Sequence, residues 1–317
     1  MSAAEKTVLV TGATGLIGRQ ALAPLKARGY RVHALARAIP DSADREVTWH
    51  AVDLLAGGGV EAAEAARTVK ASHLLHLAWY AEPGKFWSSP ENLAWVGASL
   101  ALARAFVEAG GRRLVAAGSC AEYDWSGTVP LNETATPLLP RTLYGAAKHS
   151  LRLLLEAYAR EARVSLAWGR VFLLYGPHEH PVRLMPSVIL PLLSGRDASL
   201  SHGTQKRDFL HAADVAGAFA ALLDSTVEGP VNVGSGEAVS VREVAERIAA
   251  AIGEVGGQGG PSGQGRLRFG EREDAGPAHI QADVARLRDE VGFRPRFDLE
   301  EGLRDAILWW RQEGPNP

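Results

Sequence analysis

The segment that most constrains the fold is Thr7–Gly18, TVLVTGATGLIG. An apolar β-rich run enters three glycines spaced three apart, Gly12, Gly15 and Gly18, and a helix-forming stretch follows at once. In that context the glycines have distinct uses: Gly12 for a tight turn, Gly15 for close approach of backbone to a ligand, Gly18 for close packing of helix on strand. The amides of Thr14, Leu16 and Ile17 and the positive end of the helix then suit a pyrophosphate. The spacing is G-x-x-G-x-x-G. The competing reading is a helix start that uses glycines only for packing.

The rest of the first half repeats the alternation. β-rich runs at Arg31–Ala36, Val47–Val52, Ser72–Ala78 and Arg113–Gly118 alternate with helical stretches at Leu16–Arg28, Val60–Val69 and Glu91–Ala109. A further helix, Thr142–Arg160, precedes a strand at Val164–Leu174. This pattern predicts an α/β fold, a Rossmann-type doubly wound parallel sheet covered by helices on both faces. Prolines 177, 181, 186 and 191 then punctuate the chain. The reading divides it into a dinucleotide-binding domain over 1–174 and a smaller mixed α/β substrate region over 175–317. Arg207–His211 and Val231–Val233 are able to return to the first sheet. Helices are expected at Val182–Leu193, Ala212–Leu223, Val241–Ile252 and Leu299–Arg311. The glycine-rich stretch Gly253–Gly265 reads as a surface loop.

Composition excludes several classes. Lys plus Arg number 34 against 36 Asp plus Glu, a net charge of -2, so there is no basic excess for a nucleic-acid backbone. A single cysteine, Cys120, forbids an internal disulfide and a cysteine zinc finger. No apolar run is long enough to span a membrane, and no leader pattern precedes the first strand, so the cytoplasm is the expected compartment. His178-Glu179-His180 lies between prolines with no third ligand at readable spacing, and no metal is expected.

Two features bear on the cofactor. The second strand ends at Ala36 followed by Arg37, where NAD binders usually place a ribose-binding carboxylate. A guanidinium there suits a 2′-phosphate, so NADP is expected, with NAD possible; a solvated surface arginine is the plain alternative. Asp53, with Leu54, ends the third strand, placed either to accept from the adenine amino group or to cap a helix.

Tyr144 and Lys148 stand four apart at the start of a helix, on one face. A phenol is a poor base at neutral pH, and a fixed ammonium beside it stabilises the phenolate. Ser119 ends the fifth strand and is placed to hydrogen-bond a substrate oxygen whose proton Tyr144 handles.

In order, Gly12-x-x-Gly15-x-x-Gly18, Asp53, His76-Leu77-Ala78, Ser119, Tyr144-x-x-x-Lys148, Arg170…Tyr175-Gly176-Pro177 and Arg207-Asp208-Phe209 resemble the extended short-chain dehydrogenase/reductases. Within them the chain is similar to the NAD-dependent epimerase/dehydratase family, which acts on nucleotide sugars. The resemblance implies a Ser119–Tyr144–Lys148 triad, dinucleotide contacts at Leu77 and Ala78 as well as the glycine turn, and a nucleotide contact at Arg207, a role open to Arg272 too. It implies a homodimer through the helices Glu91–Ala109 and Thr142–Arg160. Cys120 and Glu122 follow the serine and are expected at the substrate, with Asp124 and Trp125 lining or lidding the pocket or forming a plain turn. Ser119 is followed by Cys120 and Ala121 where 4,6-dehydratases carry Asp and Glu, which argues against dehydration. Leu173 stands where many members carry an asparagine near the substrate phosphates.

The segment Gly203–Leu210 resembles CDP-sugar 4-ketoreductases, so an NADPH-dependent reductase of an NDP-4-keto-6-deoxyhexose is the leading expectation. A 4-epimerase that retains NAD is the alternative. A reductase of small carbonyl compounds and a non-catalytic NADP-sensing regulator are further readings; the second is disfavoured by the presence of both Tyr144 and Lys148.

Overall fold

The computed structural model describes residues 6–127, 129–255, 266–273 and 276–314. The strands are β1 (Thr7–Thr11), β2 (Arg31–Ala36), β3 (Thr48–Ala51), β4 (His73–His76), β5 (Arg113–Ser119), β6 (Ser165–Val171), β7 (Leu173–Tyr175), β8 (Ala198–Leu200), β9 (Lys206–His211), β10 (Gly229–Val233), β11 (Ala238–Ser240), β12 (Leu267–Phe269) and β13 (His279–Ile280). The helices are α1 (Gly18–Ala27), α2 (Val60–Val69), α3 (Glu91–Glu108), α4 (Leu143–Ala162), α5 (Leu184–Leu193), α6 (Ala212–Asp224), α7 (Val241–Val255) and α8 (Leu299–Glu313).

Seven strands form one parallel sheet in the order β10-β6-β5-β4-β1-β2-β3. The apolar runs at β1 and β5 are buried on both faces, as a helix-covered parallel sheet requires. One face packs on α1 and α6 through Val8, Val10, Leu25 and Phe219, the other on α2, α3 and α4 through Leu9, Leu74, Leu102 and Leu151. The chain winds outward from β1 to β3, then crosses back to β4. The crevice between the C-terminal ends of β1 and β4 is therefore the topological switch point, where open α/β sheets bind ligands.

A second sheet joins β9 to β11, β13 and β7, and β8 pairs with β12. Its core gathers Met185, Ile189, Ile248, Leu303 and Ile307 from α5, α7 and α8.

The expected strand Val164–Leu174 is in fact two. β6 stays in the first sheet, whereas β7 pairs with β9 in the second. Between them Phe172 is buried among Cys120, Tyr123 and Ile280, and its amide donates to Val233 O at 3.0 Å. An apolar run has no mark for such a change of sheet, because both halves are buried. Of the two segments that were free to return to the first sheet, residues 229–233 do so beside β6, and Arg207–His211 lies in the second sheet. Helix α6 also packs on the first sheet. The stretch Gly253–Gly265 begins within the end of α7; its residues 256–265 lie outside the described residues. Among the described residues no helix is long and apolar enough to cross a membrane.

Candidate active site

A cavity of about 620 Å³ opens at the switch point and runs toward the second sheet. Its dinucleotide end is lined by Gly12, Gly15, Leu16, Ile17 and Gly18, with Leu77 and Ala78 opposite. A Cβ on Gly18 would lie 2.0 Å from Gly12 O, so only glycine lets α1 start this close to β1. The facing wall is held by His76, which is buried between Thr11 and Ser99. Ala78 N–H donates to Thr11 Oγ1 at 3.2 Å, leaving the Thr11 proton for His76 Nδ1 at 2.7 Å. Ser99 Oγ donates to Trp95 O at 2.6 Å, so its oxygen accepts from His76 Nε2–H at 2.9 Å. Burial, with Lys148 nearby, holds His76 down at about 3, so the ring is neutral and fully satisfied.

The catalytic candidates converge beside this wall. Ser119 is the last residue of β5, and a short 3-10 turn over Cys120–Glu122 carries the chain away. Thr142 caps α4 by accepting from Gly145 N–H at 3.1 Å, which sets Tyr144 in the first turn and Lys148 one turn on. A Cβ on Gly145 would fall 2.4 Å from Ala121 O; this contact is what seats α4 against the serine turn. Ser119, Tyr144 and Lys148 all line the cavity.

Their electrostatics are those of a dry site. Burial pushes the Tyr144 phenol up to about 12, and a hydrogen bond with Ser119 pulls against it. Burial lowers Lys148 to about 7, opposed by Glu122. Lys148 Nζ donates to Ala117 O at 2.7 Å and lies 3.8 Å from the centroid of Trp79. Burial pushes the Cys120 thiol up to about 12, so it is a neutral group on the wall.

Glu122 is not where the sequence reading put it. It is fully buried behind the strand end and does not line the cavity. It accepts from Ser119 N–H at 2.9 Å, Trp168 Nε1 at 2.8 Å and Arg170 Nε at 3.1 Å. Arg170 continues to Tyr123 Oη at 3.0 Å, and Tyr123 donates to Asn232 Oδ1 at 2.7 Å. The carboxylate is a support under the serine, its charge matched by a buried guanidinium.

Other residues also sit away from their expected places. Leu54 is a core residue beneath α2. Asp53 is exposed and turns back to accept from Leu55 N–H at 3.0 Å; it caps neither the short 3-10 turn that follows nor α2. Arg37 is exposed at the tip of β2, outside the cavity lining. Thr14 also lies outside the lining; its carbonyl accepts from Arg19 Nη2 at 2.8 Å. Cys120 and Arg207 do line the cavity, Trp125 with them. Arg272 lies instead in an adjoining cavity of about 280 Å³, which also includes Arg207, Ser199, Ser201 and Gln205. Arg207 thus borders both cavities, and the next residue, Asp208, is tied down by Ser235 and Gly236 amides at 2.7 and 3.0 Å and by Ala282 N–H at 3.0 Å. In α4 Leu151 and Leu155 are core, whereas Leu153 and Leu154 are exposed.

Sequence reasoning missed an aromatic wall and one cation. Phe86 and Trp87 meet the Tyr144 ring edge-on at 4.9 and 5.7 Å, and Trp87 O accepts from Tyr144 N–H at 3.1 Å. Arg183, just before α5, lines the same cavity. The density of aromatics in Trp79–Trp87 was the available signal for the first. Nothing local marks Arg183.

Residues 8–234 match the NAD dependent epimerase/dehydratase family. The chain belongs to that family. Its curated relatives include nucleotide-sugar epimerases, dehydratases and decarboxylases. UDP-glucose 4-epimerase of Bacillus subtilis is 27% identical over 95% of this chain and 96% of its own. UDP-glucuronic acid decarboxylase 1 of Xenopus tropicalis is 25% identical over 98% of this chain and 73% of its own. Among solved structures, MoeE5 in complex with UDP-glucuronic acid and NAD is 29% identical, covers 97% of this chain and 99% of its own, and superposes with a TM-score of 0.77.

Proposed function

We propose that this family member is a nucleotide-sugar 4-epimerase, which oxidises one ring carbinol and returns the hydride to the opposite face. This replaces the reductase as the leading reading. The full-length likeness to UDP-glucose 4-epimerases supports it over the reductase, and the content of the cavity supports it over a dehydratase. The cavity has one Ser119–Tyr144–Lys148 set and, among the described lining residues, no carboxylate. Elimination of water needs a second acid–base group; hydride transfer at a single carbon does not.

In this reading Gly12, Gly15 and the start of α1 hold the pyrophosphate of a nicotinamide dinucleotide, which when bound supplies the hydride acceptor. Ser119 orients the sugar hydroxyl. Tyr144 takes its proton and later returns it. Lys148 lowers the cost of the phenolate and holds the cofactor ribose. Arg207 and Arg272 take the nucleotide end. Exposed Leu93, Leu153 and Leu154 on α3 and α4 make a face suited to a homodimer.

The test is direct. Given nucleotide-linked hexoses, neutral and acidic, the protein interconverts the C4 epimers of its substrate by NMR, with no net absorbance change at 340 nm. Steady oxidation of NADPH with an NDP-4-keto-6-deoxyhexose would establish the reductase. One observation favours that second reading: Arg37, at the end of a strand with no carboxylate, suits the 2′-phosphate of NADP. Calorimetric titration decides the cofactor. Arg37 as a phosphate ligand makes NADP about tenfold tighter than NAD, a preference lost in Arg37→Ala.

A further inference from the structure

Three cations line the main cavity, Lys148, Arg183 and Arg207, with no acidic side chain among the described lining residues. Two have work to do in the reading above: Lys148 with the phenol, Arg207 with the nucleotide. Arg183 has none. Among the described residues its guanidinium makes no ion pair or hydrogen bond, although it is only half-exposed. Its charge acts on Tyr144, so it lies toward the reacting end of the cavity. Arg207 borders both this cavity and the adjoining one, and its charge reaches Cys120.

The walls around the reacting end make this charge conspicuous. Trp79, Phe86, Trp87 and Trp125 are the large groups there. Trp79 Nε1 is committed to Asn92 Oδ1 and Trp125 Nε1 to Cys120 O, both at 2.8 Å. A neutral hexose thus meets mainly aromatic faces and one uncompensated guanidinium. The nearby carboxyl of Glu179 does not quench it. Glu179 is buried with Oε2 unpartnered, feels Arg183 without forming an ion pair, and is pushed up to about 8 by burial, hence protonated at neutral pH. A guanidinium is a planar fork that matches a carboxylate in two parallel hydrogen bonds.

We propose that Arg183 binds a carboxylate carried by the sugar ring, so that the substrates are nucleotide-linked uronic acids. This rests on the nucleotide-sugar reading and narrows it to an acidic hexose.

The experiment first selects the base. A thermal-shift series with UDP, dTDP, CDP and GDP, in the presence of NADP or NAD, finds the nucleoside diphosphate that binds. Failure of all four would overturn the nucleotide-sugar reading, and this inference with it. With the base chosen, its glucose and glucuronic acid conjugates are titrated calorimetrically against the full-length protein. The glucuronic acid conjugate is expected to bind at least about tenfold tighter. In Arg183→Gln the two conjugates bind within about twofold of each other, the bare nucleoside diphosphate keeps its wild-type affinity, and Arg183→Lys retains part of the preference. The unchanged nucleoside diphosphate certifies that the variant is folded. Equal affinities in the wild type, or a preference that survives Arg183→Gln, would overturn the proposal. So would an equal loss for the bare nucleoside diphosphate, which would make Arg183 a diphosphate ligand.

Discussion

Two buried glutamates, neither of them in the lining of the cavity, are treated in opposite ways. Glu122, under the end of β5, is matched by Arg170 and receives three hydrogen bonds, one from the amide of Ser119 itself. Glu179, in the turn after β7, keeps one oxygen without a partner. A buried charge is tolerable when it is paired and hydrogen-bonded, and otherwise the group takes up its proton. Glu122 is therefore fixed by its partners, while burial without a full set of partners makes Glu179 a neutral acid. The difference teaches that polar partners are concentrated under the triad, where a displacement of the serine would spoil proton transfer.

The largest effect should come from the group that this floor presents. Tyr144→Phe keeps the ring contacts with Phe86 and Trp87 and removes only the proton carrier. Turnover is expected to fall at least about a hundredfold with the fold intact, as judged by circular dichroism. Near-normal turnover would mean that another group moves the proton. Next is the floor itself. Glu122→Gln leaves the Arg170 guanidinium buried without its counter-charge, a loss of about 3–5 kcal/mol in urea unfolding. If Glu122→Gln and Glu179→Gln prove equally mild, the contrast between the two glutamates is wrong.

How much of this was legible depends on whether the determinants were local. The strand–turn–helix of Thr7–Gly18 and the Tyr144–Lys148 pair carry their reasons within a dozen residues, and the structure brings both to one cavity. The alternation of periods gave the parallel sheet for the same reason. Glu122 was misjudged because its partners, Trp168 and Arg170, lie on a neighbouring strand, and nothing in Ser119–Glu122 says that the carboxylate turns inward. Arg183 escaped because its importance comes from what it faces across the cavity. The change of sheet at Phe172 was hidden by uniform burial on both sides of it.

The unpaired glutamate has a measurable signature in pH. Glu179 is held at about 8 in the folded protein, against 4.5 for an ordinary glutamate. Below about pH 4.5 folded and unfolded states are both protonated, and the residue contributes nothing to the pH dependence. Between 4.5 and 8 the folded state binds the extra proton, so stability falls as pH rises. Above 8 the loss is complete. Glu179→Gln cannot ionise; its unfolding free energy in urea should match wild type near pH 4.5 and exceed it by a margin that grows up to pH 8, on the order of a few kcal/mol. Parallel stability profiles would show that Glu179 finds a partner in solution.

The smallest effect is expected at Cys120, which stands between the two regimes. It lines the cavity one residue after the serine, a position from which a thiol with an ordinary pKa is able to serve as a second acid at a carbon next to a ketone. Its surroundings speak against that use. It packs with Tyr123, Phe172 and Ile280, and burial pushes it up to about 12, so thiolate is scarce at neutral pH and the thiol is a weak acid. Serine is close in size. Cys120→Ser should change turnover by less than about threefold and leave solvent deuterium out of the sugar carbons of the product, as in the wild type, by mass spectrometry. If the wild type does incorporate deuterium and Cys120→Ser does not, the wall opposite the phenol holds a second proton carrier, and the single-carbon reading of the site fails.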